Sequence, residues 1–322
     1  MASGEGLNLT AHEHFMRAQA EAEQLSIAAK RLDCGANLLD FGVEVRGGLA
    51  AGLRLASICM GGLAEVAISS GDRSIWRGPW IRVSTDHPVR SCLLGQYAGW
   101  PVQHEKFFAM GSGPMRLRRG QEPLLKELSA ADCSPLAVGV LECDRLPNDQ
   151  VAQHIAAQCN VAPDALWLAV APTRSVAGCI QVVARSVETS LHKLYELGFP
   201  LSALKHAFGI APLAPPTPDF AQAIGRTNDA ILYGGHVTLW VDADDQQIEA
   251  VGAKVPSSCS RDFGQPFAQI FKGCNYDFYK VDPALFSPAE VAIHNLRTGR
   301  GWHFGELRED LVAKSFAVEQ MG

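Results

Sequence analysis

Two uninterrupted apolar runs, with a predicted helix between them, constrain the fold of this chain more than any other feature. Residues 136–141 and 166–171 contain no charged or polar side chain apart from a tryptophan ring, which is typical of strands that are buried on both faces of a sheet. Residues 149–158, between the two runs, have the spacing of a helix. Since strands and helices alternate along the chain, the sequence predicts an α/β fold.

A chain of 322 residues is long enough for two domains. We expect one α/β domain over residues 1–135 and a second over residues 136–322, with domains that are discontinuous in sequence as the alternative. Periodicity and turn residues predict further elements: a helix over 9–31, a strand over 37–45, a helix over 89–98, a strand or strand pair over 230–241, and a closing hairpin of 291–296 with 302–307.

The charge and the cysteines argue against several classes of protein. A formal net charge of −6 argues against a general nucleic-acid binder and against a basic membrane-binding surface. No run of about 18 apolar residues is present to span a bilayer. The nine cysteines include no Cys-x-x-Cys pair, and the ten histidines show no His-Glu-x-x-His spacing. We therefore expect reduced thiols in a cytoplasmic protein, and no metal site.

Residues 176–197 hold the strongest candidates for catalysis. Their apolar side chains recur at helical spacing and predict one continuous buried stripe. The stripe consists of Ile180, Val183, Ala184, Val187, Leu191 and Leu194. Arg185 and Glu188 lie on its flank, because positions three and four apart share a helix face. A carboxylate beside a guanidinium at the edge of an apolar face has the chemistry to activate a water, but spacing alone favours an ordinary helix salt bridge.

A glycine-rich loop and a weak internal echo mark further candidates. Gly111-Ser112-Gly113-Pro114 follows a predicted strand. The segment either directs its backbone amides at an anion or forms a purely structural turn. Gln96 belongs to the echo: a strand, a threonine turn and a helix with a cysteine and a glutamine occur at 83–96 and again at 170–181. An ancient duplication would explain this, but general similarity among βα units is the favoured explanation.

Three polar segments in the second half are also candidates. Thr227-Asn228-Asp229 precedes the apolar run that contains Tyr233, and it offers donors and acceptors to a ligand or forms a turn. A serine-rich loop with Ser258 precedes a predicted helix and either caps that helix or binds phosphate. Lys280 forms either a buried ion pair with Asp282 or a ligand contact.

These motifs occur in the order found in methenyltetrahydromethanopterin cyclohydrolases, and the chain resembles that family over nearly its full length. The resemblance is carried by the Arg-x-x-Glu helix, by Gly-Ser-Gly-Pro, and by two longer runs. The first of these is Thr-Asn-Asp-Ala-Ile-Leu-Tyr-Gly-Gly at 227–235, which is the most specific motif. The second is Asp-Phe-Tyr-Lys-Val-Asp-Pro-Ala-Leu-Phe at 277–286.

The resemblance implies two α/β domains with a family-specific fold and a pterin-binding cleft between them. It implies reversible hydrolysis of 5,10-methenyl-tetrahydromethanopterin to the 5-formyl compound without a metal or redox cofactor. Glu188 would take a proton from water, and Arg185 would orient it. The implied substrate contacts are Gln96, Gly111, Ser112, Gly113, Thr227, Asn228, Asp229, Tyr233, Ser258 and Lys280.

The resemblance also implies a homotrimer, and the modest charge content is more typical of a mesophilic, formaldehyde-oxidising bacterium than of a hyperthermophile. Two other functions stay open at this point. One is another one-carbon pterin enzyme, such as a formyl-transferring one, and the other is a non-catalytic pterin- or anion-binding module. The Arg185–Glu188 pair favours catalysis, because a binding module has no need of a water-activating carboxylate.

Overall fold

The computed structural model describes residues 6–317, which divide into two compact units. The first unit is drawn from the segments Met1–Ala64 and Val89–Gln181, and the second from Glu65–Pro88 and Val182–Gly322, with residues 1–5 and 318–322 lying outside the described part. Each unit combines helices with a six-stranded sheet. The predicted class, two α/β domains, is therefore confirmed.

The strands of the described residues are β1 (Ala28–Arg31), β2 (Asn37–Asp40), β3 (Glu65–Ser69), β4 (Trp80–Thr85), β5 (Trp100–His104), β6 (Phe107–Ser112), β7 (Ala137–Glu142), β8 (Leu166–Ala171), β9 (Leu204–Pro212), β10 (His236–Val241), β11 (Glu290–Asn295) and β12 (Gly301–Gly305). The α-helices are α1 (Leu7–Ala20), α2 (Ala22–Leu25), α3 (Leu49–Cys59), α4 (Met115–Arg119), α5 (Pro123–Glu127), α6 (Asp149–Gln158), α7 (Val176–Val183), α8 (Ser186–Glu196), α9 (Phe220–Leu232), α10 (Asp245–Gly252), α11 (Phe267–Gly273) and α12 (Glu309–Phe316). A π-helix spans Val89–Gln96, and 3₁₀ turns span Pro163–Ala165, Leu201–Ala203, Ser257–Cys259, Phe278–Lys280 and Pro283–Leu285.

In the first unit, the sheet has the strand order β1-β2-β8-β7-β6-β5. The three strands β2, β8 and β7 run parallel in the middle, and the outer strands join antiparallel. Alternate residues of β8 enter two separate cores: Leu168 and Val170 pack with Ile155 of α6, whereas Ala169 packs with Phe15 of α1. The apolar run of β8 therefore reflects burial on both faces, which confirms the sequence prediction.

The division predicted at residue 135 falls between β6 and β7, which pair antiparallel in this sheet. Because one sheet contains strands from both sides of that position, the two units are discontinuous in sequence. The chain passes from one unit to the other after Ala64, after Pro88 and after Gln181.

In the second unit, the sheet has the order β12-β11-β10-β9-β4-β3 and is antiparallel except for the β10–β11 pair. On β10, the buried residues Val237, Leu239 and Val241 alternate with partly exposed ones. This period of two is the pattern of a strand with one packed face and one more open face. Strands β11 and β12 form the predicted closing hairpin.

Three predicted elements differ from the structure. The helix predicted over 9–31 ends early, because Ser26 takes a left-handed backbone (φ 54°) and the amide of Ile27 donates to the carbonyl of Ala22, a closure typical of helix ends. The strand predicted over 230–241 is the end of α9 followed by β10. The helix predicted over 89–98 is present as the π-helix. Among the described residues, no helix has the length and apolar character to cross a bilayer.

Candidate active site

The helix predicted over 176–197 is interrupted, and the interruption places the candidate catalytic pair at the start of a new helix. α7 ends at Val183 and α8 begins at Ser186. Arg185 precedes α8 with φ −83° and ψ 5°, and its amide donates to the carbonyl of Val182 at 3.0 Å. The carbonyl of Arg185 then accepts from the amide of Thr189 at 2.9 Å. Arg185 is therefore the cap of α8 rather than a residue in the middle of a helix.

Glu188 lies in the first turn of α8, three residues after Arg185. Both side chains are buried, with 4% of Glu188 and 7% of Arg185 exposed. A carboxylate is favoured near a helix N-terminus, because the first backbone amides carry partial positive charge there. Burying charged groups is costly unless other polar groups compensate for the lost water. A buried carboxylate in the first turn of a helix, three residues after a buried arginine, has the chemistry to hold and activate a water molecule.

Close packing against the sheet of the second unit fixes the start of α8. Val187, Leu191 and Leu194 are fully buried, and α8 contacts β9 and β10. Gly209 of β9 faces Ser186, and a Cβ at Gly209 would lie only 2.5 Å from the Ser186 hydroxyl oxygen. The missing side chain of Gly209 is what lets the first residue of α8 approach the strand.

The glycine-rich loop follows β6 in the first unit. Gly113 has a left-handed backbone (φ 88°), and its amide donates to the carbonyl of Gly95 at 2.8 Å. A Cβ at Gly113 would crowd the backbone of β7, 3.2 Å from the amide nitrogen of Val140. The loop is thus held against Gly95, next to Gln96 at the end of the π-helix. The structure therefore brings two candidates together, Gln96 and the loop, at the end of a π-helix. Helices of this type are rare in proteins, but those that occur are frequently found at functional sites.

Ser112 of this loop is buried in a small polar cluster. Its hydroxyl lies 3.3 Å from the Cys59 thiol and donates to the carbonyl of Val140 at 3.4 Å. The amide group of Gln181 also contacts the Cys59 sulfur, at 3.5 Å. The echoing glutamines therefore differ in setting, since Gln181 joins the Ser112 cluster and Gln96 ends the π-helix. Substrate contact by Gly111, Ser112, Gly113 and Gln96 stays a prediction.

The three arginines that follow the loop make contacts within the first unit. Arg116 is fully buried, forms an ion pair with Glu122, and donates to the carbonyl of Leu94 at 3.0 Å. Arg118 donates to backbone carbonyls, and Arg119 stacks over the ring of Trp100. These contacts hold α4 in place, so the basic run has a structural explanation.

Thr227, Asn228 and Asp229 lie in the second half of α9, whereas the sequence predicts them directly before a strand. The Thr227 hydroxyl and the Asn228 amide group donate to carbonyls of the preceding turn, those of Ala223 and Ile224, both at 2.9 Å. The apolar run after Asp229 continues the buried face of this helix, which is why it resembled a strand when taken alone.

Asp229 and Tyr233 hold neighbouring segments of the second unit against α9. The fully buried carboxylate of Asp229 accepts from the amide of Phe267 at 2.9 Å and from the hydroxyl of Ser315 at 2.6 Å. Burial raises the pKa of Asp229 to about 7, although both hydrogen bonds act in the opposite direction. The Tyr233 hydroxyl donates to the carbonyl of Gln265 at 2.6 Å, and burial raises its pKa to about 12.

Ser258 and Lys280 are exposed on the second unit. Lys280 pairs with Asp277 at 3.8 Å, so the predicted alternative of a buried ion pair between Lys280 and Asp282 is wrong. Asp282 instead accepts from the Ser260 hydroxyl at 2.8 Å and closes the serine-rich loop. The structure does not gather Ser258 and Lys280 with the buried residues of α9, and their contact with substrate stays a prediction.

Comparison with known proteins identifies relatives along the whole described chain. Residues 6–316 match a family model described as Cyclohydrolase (MCH). A methenyltetrahydromethanopterin cyclohydrolase of Rhodopirellula baltica is 52% identical over 289 residues, which cover 88% of this chain and 87% of the relative. A protein of the same name from Methylobacillus flagellatus is 46% identical over 297 residues (92% and 90% covered). Another from Methanococcoides burtonii is 39% identical over 301 residues (93% and 94% covered).

Proposed function

We propose that Glu188 and Arg185 carry out hydrolysis in this chain, which belongs to the methenyltetrahydromethanopterin cyclohydrolase family. The chain is a hydrolase that acts on a cyclic amidine. It converts 5,10-methenyl-tetrahydromethanopterin reversibly to the 5-formyl compound. The observation that carries the catalytic assignment is the buried carboxylate in the first turn of α8, three residues after a buried arginine cap.

The reaction needs a positioned water and a proton acceptor. The methenyl carbon lies between two nitrogens in a cationic amidinium, so it is already electrophilic. The water oxygen bonds to this carbon, one carbon–nitrogen bond breaks, and the released nitrogen keeps one of the two water protons. The other proton leaves, so the cation and water give a neutral formyl product and one proton. Glu188 takes the proton from the attacking water and passes it to the departing nitrogen.

The charges of the pair suit a cationic substrate. The carboxylate of Glu188 offsets the positive charge of the amidinium in a buried setting, where electrostatic interactions are stronger than in water. The planar guanidinium of Arg185 orients the carboxylate and holds it in the ionised form. Arg185 is thus a positioning residue, and Glu188 is the residue that touches the reacting atoms.

Four further features belong to the proposal. No cofactor is required, because the charge of the substrate supplies the activation that a Lewis acid would otherwise supply. The glycine-rich loop and Gln96 contribute to pterin binding, and so does Asn228 of α9. The enzyme works as a homotrimer in the cytoplasm. Its substrate arises in the oxidation of formaldehyde.

A single-substrate assay tests the function. The purified chain is incubated with the methenyl compound alone, and loss of the methenyl absorbance is followed with identification of the product. We expect conversion to the 5-formyl compound, at an undiminished rate after chelator treatment and dialysis. Binding without conversion would contradict the enzyme assignment, and conversion only after addition of a formyl acceptor would indicate a transferase. Activity that is lost with chelator and restored by a metal ion would contradict the cofactor-free mechanism.

A further inference from the structure

We propose that His236, Glu290 and His303 form a binding site for a divalent transition-metal ion, best suited to Zn²⁺, on the sheet of the second unit. Nδ1 of His236 lies 2.8 Å from one carboxylate oxygen of Glu290, and Nε2 of His303 lies 2.7 Å from the other. One donor atom from each residue lies within 4.8 Å of the other two. None of these residues belongs to the proposed catalytic pair or to the implied substrate contacts.

The strand register brings the three side chains to one face of the sheet. His236 of β10 is directly opposite Glu290 of β11 in the parallel pair. Glu290 is opposite Gly305 of β12 in the antiparallel pair, and His303 precedes Gly305 by two residues. Because side chains two apart on a strand share a face, His303 projects beside Glu290. The two imidazole rings are nearly parallel, with 22° between their planes and 6.5 Å between their centroids.

A second contact orients one of the ligands. The other ring nitrogen of His236, Nε2, lies 3.1 Å from the hydroxyl oxygen of Thr238, which is on the same face two residues along β10. With a metal ion on Nδ1, the proton is on Nε2 and is donated to Thr238. This is the outer hydrogen bond that metal-ligating histidines generally make, and it selects the tautomer.

The donor set selects the class of ion. Two imidazole nitrogens and one carboxylate oxygen are ligands for zinc and other borderline first-row ions, whereas calcium and magnesium require oxygen ligands. Donor atoms on a tetrahedral zinc ion, at bonds of roughly 2.0–2.1 Å, are about 3.4 Å apart. The observed separations of the donor atoms begin at 2.7 Å and stay within 4.8 Å, so the distance that zinc requires lies inside their range. Water fills the fourth position.

The ion would connect three neighbouring strands, including the edge strand β12. The ligands come from three strands, and the unfolded chain holds no such arrangement, so binding favours the folded state. The site is therefore expected to stabilise the second unit without taking part in hydrolysis. It also holds the edge strand β12 to its neighbours, so that β12 is less able to detach.

Titration of the chelator-treated full chain with zinc chloride, followed by calorimetry, tests the site. We expect one ion per chain and a melting temperature that rises by a few degrees at about 100 times the dissociation constant. Hydrolysis rates at room temperature should be the same with and without zinc. Absence of binding, with the wild-type chain folded, would overturn the proposal.

Variants locate the ion. His303→Ala and Glu290→Gln should each weaken zinc binding by about 100-fold or more, since even outer-shell changes cost roughly 10–100-fold. His303 is largely exposed and lies on the edge strand, so its loss should leave the fold intact. The matched control is His294→Ala. His294 is an exposed histidine on the same strand as Glu290, and the variant should bind zinc like the wild type.

Cobalt chloride distinguishes this site from the cysteines, of which Cys133 and Cys259 are exposed. Cobalt on imidazole and carboxylate gives d–d absorption without the intense thiolate-to-metal band that cysteine ligands produce. A thiolate band in the wild type that persists in His303→Ala, or zinc affinity unchanged in both ligand variants, would place the ion elsewhere and overturn the proposal.

Discussion

Glu188 and Asp229 are both acids buried in helices of the second unit, but their surroundings differ. Asp229 lies in the last turn of α9, and its carboxylate accepts hydrogen bonds from α11, through the Phe267 amide, and from α12, through the Ser315 hydroxyl. Glu188 lies in the first turn of α8, directly after a break in the chain's helix. Asp229 connects three helices, whereas Glu188 occupies the end of one.

The difference indicates that burial and membership of a family motif do not by themselves make a residue catalytic. The hydrogen-bond partners of Asp229 come from its own unit, which is what stability of the fold requires. The carboxylate of Glu188 lies at a helix start, where the helix dipole acts on it, three residues after the arginine cap, which is what charge control requires. We therefore assign Glu188 to the reaction and Asp229 primarily to the fold.

Replacement of Glu188 should give the largest loss of turnover. If it does not, the contrast drawn between Glu188 and Asp229 fails. Glu188→Gln keeps the shape of the side chain and removes its basicity. We expect turnover to fall on the order of 10²-fold or more, with pterin binding largely retained. Initial rates of methenyl loss and a direct binding titration measure the two quantities. A turnover close to that of the wild type would show that Glu188 is not the base.

Asp229 should affect stability, with a dependence on pH. Its pKa is raised from 3.8 to about 7, so between these values the folded chain holds a proton that the unfolded chain has released. The stabilisation is complete below the unfolded value, and it is lost as the pH rises through the folded value. The loss is at most about 4 kcal/mol, since roughly three pKa units at about 1.4 kcal/mol each are involved.

Urea unfolding of the wild type and of Asp229→Asn, at about pH 5 and about pH 8, measures this loss. The free energy of unfolding of the wild type, relative to the variant, should be higher at the lower pH. The folded variant should turn over substrate at a rate close to that of the wild type. A turnover defect as large as that of Glu188→Gln, in folded protein, would assign Asp229 to the reaction as well.

Variants of Arg185 should sharpen the comparison, because they separate the effect of its charge from the effect of its planar shape. Arg185→Lys keeps the charge but loses the planar fork, and Arg185→Ala loses both. A charge-assisted hydrogen bond contributes roughly 1.5 kcal/mol or more, so we expect about a tenfold loss of rate in the lysine variant and a larger loss in the alanine variant. If the lysine variant matched the wild type, the fork geometry would be unimportant.

The pH–rate profile gives a readout that a merely structural role would not change. A carboxylate that loses a neighbouring cation holds its proton to higher pH. The pH at which the rate rises should therefore move upward in Arg185→Ala. An unchanged profile would mean that Arg185 and Glu188 act independently.

Tyr233 should give the smallest effect, confined to stability. Tyr233→Phe removes a hydroxyl that donates to the carbonyl of Gln265 and accepts from the amide of Gly264. The expected cost is about 1–2 kcal/mol in the free energy of unfolding, since a buried hydrogen bond is lost. Thermal and urea unfolding measure it, and turnover should not change. A marked rise in KM without loss of stability would instead favour substrate contact.

The sequence predicted those features that depend on local periodicity. The buried strands β7 and β8 with α6 between them, and the β11–β12 hairpin, follow from apolar runs and turn residues alone. The interruption at Arg185 does not, because the apolar stripe from Ile180 to Leu194 continues across it without a change in spacing. The break depends on tertiary packing, including the room that Gly209 leaves on a distant strand.

The helix α9 shows a signal that was present but not used. Asp219 caps it by accepting from the amide of Gln222 at 2.7 Å, and Ile224, Thr227 and Ile231 repeat at helical spacing. Taken together with these earlier residues, the apolar run from residue 230 ends a helix rather than forming a strand. The cluster of His236, Glu290 and His303 could not be predicted, because it depends on the register between β10 and β11, which pairs His236 with Glu290, 54 residues away.

Residues 65–88 belong to the second unit although the residues on both sides of them belong to the first, and this affects the order in which a nascent chain can fold. The first unit is complete once Gln181 has been synthesised, but the β3–β4 hairpin must wait for β9, whose Ala207 pairs with Thr85. About 120 residues separate these partners, which corresponds to roughly 6–24 s of translation at about 5–20 residues per second. A lone two-stranded hairpin is marginally stable. During that interval, one edge of β4 has no partner strand. The first unit, which can fold earlier, holds the β3–β4 hairpin as an insertion between its two segments.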